Sequence, residues 1–238
     1  MDEKAMVFDR KKHVCYSPLF KKVIRERLSR LYPPEKADAV WERIQLQYVD
    51  FLRDLPDLGG KKSTHNGTGG TYDCIALFAY YEAVEDKPTT DEFYETAMKL
   101  FIGNFEKIGK IINANRPLCM RILQFSFQSA AKKDQAHETE RPDNYIMRVE
   151  PFDKRLGVRY RFEKCPIADF AKKHGYLHLM PALCNGDYPL FEAMHSGLIR
   201  RHTCANGDVC DYWIVGSESE FLKEHPRKTD KDGYWYNE

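Results

Sequence analysis

Seven cysteines, an aspartate three residues from one of them, and a Gly-rich loop ahead of an apolar helix could do chemistry in this chain. The cysteines are Cys15, Cys74, Cys119, Cys165, Cys184, Cys204 and Cys210. Cys165 stands before Pro166, Cys184 opens Cys184-Asn185-Gly186-Asp187, and Cys210 closes the run that begins at Thr203. Cys184 and Asp187, three apart, share a face on one helical turn. A thiolate is a strong nucleophile where a cation or a helix N-terminus lowers its pKa. Three thiolates and a water could instead hold zinc. Plain packing competes with both, since free cysteine is among the most buried residue types. No pair has CxxC spacing, which excludes a zinc ribbon and a thioredoxin-type site.

The second candidate is the loop His65-Asn66-Gly67-Thr68-Gly69-Gly70-Thr71. Free N–H groups and the helix dipole make a helix start an anion site, and Thr71 is the expected N-cap. No lysine follows the glycines in P-loop order and no strand precedes them, so a small carboxylate fits better than a nucleotide. A flexible loop with a capped helix is the competing reading. Neither HExxH nor GxSxG occurs, which argues against common zinc proteases and serine hydrolases.

These residues need elements to position them. Up to about residue 135 the period is helical. Leu19, Val23 and Leu28 mark a helix after Pro18, and Val40, Ile44, Tyr48, Phe51 and Leu55 mark one from Glu35 to Leu55. The stretch from Thr71 to Val84 is apolar on several faces and reads as a buried helix. Thr90 caps another to about Phe105, and Pro117 opens one through Leu118, Met120, Ile122, Leu123 and Phe125. From Asn144 the period shortens to two. Tyr145–Glu150 and Gly157–Glu163 read as strands, and Val158, Tyr160 and Phe162 alternate with charged residues. Short helices follow at Pro166–Lys173 and Met180–Met194. Leu198–Cys204 and Val209–Val215 then bracket Asn206-Gly207, a hairpin signal. A two-residue turn there sets Thr203 opposite Cys210 and puts Arg201, Thr203, Cys210 and Tyr212 on one face. The fold class is α+β, a helical N-terminal part on a C-terminal antiparallel sheet interrupted by short helices. We expect one domain over 1–238, mostly helical over 1–140, sheet over 141–216, and a polar tail over 217–238.

Lys+Arg at 37 against Asp+Glu at 36 leaves a formal charge of +1, so no net field favours nucleic acid or an anionic membrane. No apolar run is long enough to span a bilayer. The start lacks a signal-peptide pattern, and seven is an odd count for a disulfide framework, so a reducing cytoplasm is expected. A small-molecule substrate is the expected partner, with no nucleic acid and no membrane. A homo-oligomer is left open. No cofactor is required, with zinc left open.

The order Phe162-x-x-Cys165-Pro166, then Cys184-x-x-Asp187, then Arg201-x-Thr203-x-x-x-Gly207-x-x-Cys210-Asp211-Tyr212 resembles the L-2-amino-thiazoline-4-carboxylic acid hydrolase family over about residues 145 to 216. The resemblance implies a hydrolase that opens a small sulfur–nitrogen heterocycle, the namesake reaction giving an N-carbamoyl cysteine. Cys184 would then be the nucleophile or an oriented thiol and Asp187 the base or amidinium partner. Cys165 and Cys210 would line the pocket as thiol acid or metal ligands. Arg201 and Thr203 would bind substrate, and His65, Asn66 and Thr71 would hold its carboxylate. The alternative is a non-enzymatic zinc- or small-molecule-binding sensor of the 4-vinyl reductase-like type.

Overall fold

The computed structural model describes residues 16–60, 63–65 and 70–238, of which 103–107 through their backbone alone. Contacts divide the chain into two compact units, Met1–Leu100 and Phe101–Glu238. The architecture is α+β, with N-terminal helices and a C-terminal four-stranded antiparallel sheet.

The first unit is helical. Helix α1 (Pro18–Leu31) starts where the Ser17 hydroxyl accepts the Phe20 N–H at 3.1 Å, and Pro18 takes a position with no N–H to satisfy. It buries Phe20, Ile24 and Leu28. Leu19 and Val23 are only half-buried, because the inward row advances in steps of four from Phe20. Helix α2 (Pro34–Asp54) buries Val40, Ile44, Tyr48 and Phe51 as their spacing predicts. Helix α3 (Thr71–Ala83) packs on α2 and buries every residue from Thr71 to Tyr80, as its all-round apolarity requires. Its N-cap is Gly70 rather than Thr71. Helix α4 (Thr90–Gly109) is capped from one residue earlier than expected: Glu92 N–H donates to the Thr89 hydroxyl at 3.3 Å, and Thr89 N–H donates back to the Glu92 carboxylate at 2.9 Å.

The second unit contains helix α5 (Pro117–Ala136) and strands β1 (Ile146–Val149), β2 (Val158–Lys164), β3 (Ser196–Ile199) and β4 (Cys210–Gly216), in the order β1-β2-β4-β3. On β2 and β4 the cross-strand pairs Val158–Ile214, Tyr160–Tyr212 and Phe162–Cys210 share one face. Helix α5 covers that face from β1 and β2, with Phe127 4.6 Å from the Tyr160 ring. Met120 and Leu123 point inward. Leu118, Ile122 and Phe125 lie on another row of α5 and are exposed. The opposite sheet face carries Arg159, Arg161 and Glu163, as alternation predicts.

Between β2 and β3 run α6 (Pro166–His174), a 3-10 turn at Leu177–Leu179, α7 (Met180–Cys184) and α8 (Asp187–Glu192). Gly175 ends α6 with φ +78°, a left-handed position that costs glycine little. The expected helix over 180–194 is therefore two, with Asn185-Gly186 making a tight helical turn between Cys184 and Asp187. After β4 come α9 (Glu220–Glu224) and a hairpin of β5 (Arg227–Thr229) and β6 (Trp235–Asn237). The segment read as a polar tail is thus folded. Asn237 N–H donates to the Arg200 carbonyl at 2.7 Å, and Arg200 N–H donates to the Asn237 side chain at 3.1 Å. These bonds are reachable only once the chain has closed on itself, so no local pattern announces them.

Candidate active site

The β3–β4 connection decides which side chains reach the site. Asn206-Gly207 is not a two-residue hairpin turn. Pairing runs Leu198–Ile214 and Ile199–Trp213 and then stops, leaving Arg200–Val209 as a loop. Within it Thr203 N–H and hydroxyl both donate to the Asn206 side chain at 2.9 Å, and Asn206 N–H donates to the Thr203 carbonyl. Asp211 accepts from Arg201 N–H at 3.1 Å and His202 N–H at 2.7 Å. The observed register differs by one residue from the expected one, and a one-residue slip swaps the faces of a strand. Arg200, rather than Arg201, therefore turns inward beside Tyr212. Arg201 is exposed. Thr203 is buried, but its hydroxyl serves the turn.

Arg200 is completely buried. One guanidinium nitrogen donates to Asp187 Oδ2 at 2.7 Å, and another donates to the Cys184 carbonyl at 2.8 Å. The guanidinium lies 5.1 Å from the Tyr188 ring and 5.6 Å from the Tyr212 ring. Its Nε–H is buried with no hydrogen-bond partner among the described residues. Burial works against the charge, yet Cys210 and Asp187 hold the guanidinium pKa well above its ordinary value. Behind it, Tyr188 donates to Asn237 at 2.9 Å, and Asn185 binds the β5–β6 hairpin at Gly233 and Trp235. Arg200 was missed in the sequence because the two-residue turn assumed at Asn206-Gly207 puts Arg201, and not Arg200, on the face of Cys210 and Tyr212.

Asp187 Oδ2 also accepts the Tyr212 hydroxyl at 2.7 Å. Cys210 Sγ donates to that hydroxyl at 3.5 Å. The result is a chain from thiol to phenol to carboxylate, with Arg200 as the countercharge. Tyr160 stacks on Tyr212 at 4.4 Å, and Phe127 and Phe191 close the aromatic wall. The Asp187 side chain is 31% exposed, so the network opens to water at its carboxylate end.

Four cysteines meet around this chain. Cys165, Cys184 and Cys204 lie near enough to Cys210 to act on it through charge. Burial pushes the Cys165 thiol up to about 12, although N–H groups of Ala168 and Ile167 at the start of α6 act against it. Burial also pushes Cys184 well up, and negative charge on Cys210 adds to the effect. Cys204 is raised chiefly by the neighbouring Cys210 thiol. Cys210 moves the other way: its thiol is pushed below the ordinary value by the Cys204 thiol beside it, then by Arg200 and Tyr212, against burial. Among the described residues no three His, Cys, Asp or Glu groups converge as metal ligands.

The expected carboxylate anchor lies in the first unit. Asn66 falls outside the described residues. Thr71 N–H and hydroxyl both go to the His65 carbonyl, at 3.1 and 3.4 Å. Asp73, buried in the first turn of α3, accepts Ser17 N–H and hydroxyl at 2.6 and 2.8 Å.

A family model described as L-2-amino-thiazoline-4-carboxylic acid hydrolase matches residues 72–214, more than half of the chain. The chain belongs to this family. The matched segment includes Cys165, Cys184, Asp187, Arg200, Cys204, Cys210 and Tyr212. No curated protein and no solved structure matches the chain. No helix among the described residues is long and apolar enough to cross a membrane.

Proposed function

We propose that this family member is a cysteine-dependent hydrolase of a small cyclic amidine bearing a ring sulfur, with Cys210 as nucleophile. The observation that carries the reading is the chain from the Cys210 thiol through the Tyr212 hydroxyl to the Asp187 carboxylate, ending on buried Arg200. Asp187 takes the Tyr212 proton as Tyr212 takes that of Cys210, which leaves a thiolate facing the Arg200 charge. The thiolate adds to the electrophilic amidine carbon. The ring C–S bond breaks, and its sulfur leaves with a proton from Asp187. Cys184, held neutral by burial, is a second thiol donor for that step. Water then adds to the enzyme-bound carbon and gives its proton to Asp187. The Cys210 sulfur departs, leaving an N-carbamoyl-cysteine-type product.

The electrostatics favour Cys210 over Cys184 as nucleophile, since only the former has its pKa lowered. Release of a free thiol from a panel of 2-aminothiazoline-type carboxylates tests the reading. Cys210→Ser is expected to lower turnover by at least about a thousandfold and Cys184→Ser by roughly tenfold. The reverse ranking would return the nucleophile to Cys184. No thiol release from any member of the panel would remove the hydrolase reading.

A further inference from the structure

Cys204 has no part in the ring-opening steps, yet it is buried against the nucleophile. Its thiol donates to the Phe162 carbonyl at 3.4 Å, and Phe162 is the cross-strand partner of Cys210. The two thiols also act on each other more strongly than either acts on Cys165 or Cys184. Cys204 sits in the loop between β3 and β4, inside the turn closed by Thr203 and Asn206. A loop residue can shift its sulfur with less disturbance than one held in a ladder. The β4 neighbour has the opposite character: its backbone is paired and its sulfur faces a guanidinium. A thiolate beside a cation, with a second thiol in contact, is the arrangement that reacts with peroxide and then resolves to a disulfide.

We propose that Cys204 and Cys210 form a peroxide-reactive dithiol, in which a hydroperoxide oxidises Cys210 and Cys204 closes the product into a disulfide. The Cys210 thiolate attacks the terminal peroxide oxygen. The O–O bond breaks, the alcohol or water leaves with a proton, and Cys210 becomes a sulfenic acid. Cys204 sulfur then attacks Cys210 sulfur. The S–O bond breaks, and hydroxide leaves as water with the Cys204 proton. Two thiols lose two electrons, and one peroxide bond gains them. The oxidation rests on the thiol geometry alone. Its consequence, reversible loss of turnover, rests on the reading of Cys210 as nucleophile.

Both cysteines fall in one tryptic fragment, His202–Lys223, which makes the test direct. The native full-length protein is treated with equimolar hydrogen peroxide, its free thiols are alkylated, and it is then digested. The expected fragment is unalkylated and two hydrogens lighter, and dithiothreitol restores it. In Cys204→Ser the expected product is instead a dimedone adduct on Cys210. An unchanged fragment would overturn the inference, as would a disulfide from Cys210 to Cys165 or Cys184, and either result leaves the hydrolase reading standing. A Cys204–Cys210 disulfide with undiminished turnover would support the dithiol and overturn Cys210 as nucleophile.

Discussion

Cys74 and Cys210 are both buried, and they stand in opposite surroundings. Cys74 lies on α3 beside Ile75, Ala76, Leu77 and Phe78, in a run where every side chain is inside. Cys210 lies on β4 with Tyr212, Arg200 and Asp187 within one connected polar network. The two aspartates divide the same way. Asp73 is buried and holds the start of α1 through Ser17. Asp187 is partly open and receives a cation and a phenol. Burial therefore says little about whether a cysteine or an aspartate does chemistry. What separates the regions is whether the buried group has a charged neighbour and an outlet for a proton.

The comparison breaks first at Asp187. Asp187→Asn removes the counterion of a buried arginine and the terminal base, so turnover is expected to fall by about a thousandfold. Stability should fall by roughly 2 kcal/mol, less than for a sealed pair because the carboxylate is partly exposed. Steady-state kinetics beside urea unfolding read both. Unchanged kinetics would reduce the network to structure, like Asp73. Tyr212→Phe is a gentler cut. It keeps the stack on Tyr160 and loses the relay, so turnover should drop about a hundredfold while stability changes by about 1 kcal/mol. Wild-type rates in this variant would mean that Cys210 loses its proton by another route.

The pH dependence of stability sharpens the contrast. Cys165 is raised in the folded protein from an ordinary 9.0 to about 12. A raised pKa means that the unfolded chain ionises first. The contribution is complete below about pH 9 and is lost as pH climbs towards 12, at up to about 1.4 kcal/mol per pH unit. The melting temperature should fall over that window, and Cys165→Ala should flatten the fall. The smallest effects belong to residues outside the network. Cys74→Ala is expected to cost about 1 kcal/mol of stability through lost packing, with turnover unchanged. Arg201→Ala should shift neither by more than about 0.5 kcal/mol, because only its backbone N–H is engaged. A large kinetic loss in Arg201→Ala would show that the inward and outward arginines are misassigned.

What the sequence determined by itself is the part set by near neighbours. The period of four along α2, the all-apolar stretch of α3 and the alternation along β2 and β4 are local, and each is found where it was read. The motif of Cys165, Cys184, Asp187 and Cys210 was legible for the same reason, since each stands at a sequence-marked edge of an element. Only the tertiary structure decided the register of β3 on β4, and with it the exchange of Arg201 for Arg200. That register depends on how the Arg200–Val209 loop closes and on Asn237, some 37 residues further on, binding the Arg200 backbone. Pairing across such a distance is governed by the whole fold, and a slip of one residue exchanges a solvated arginine for a buried one.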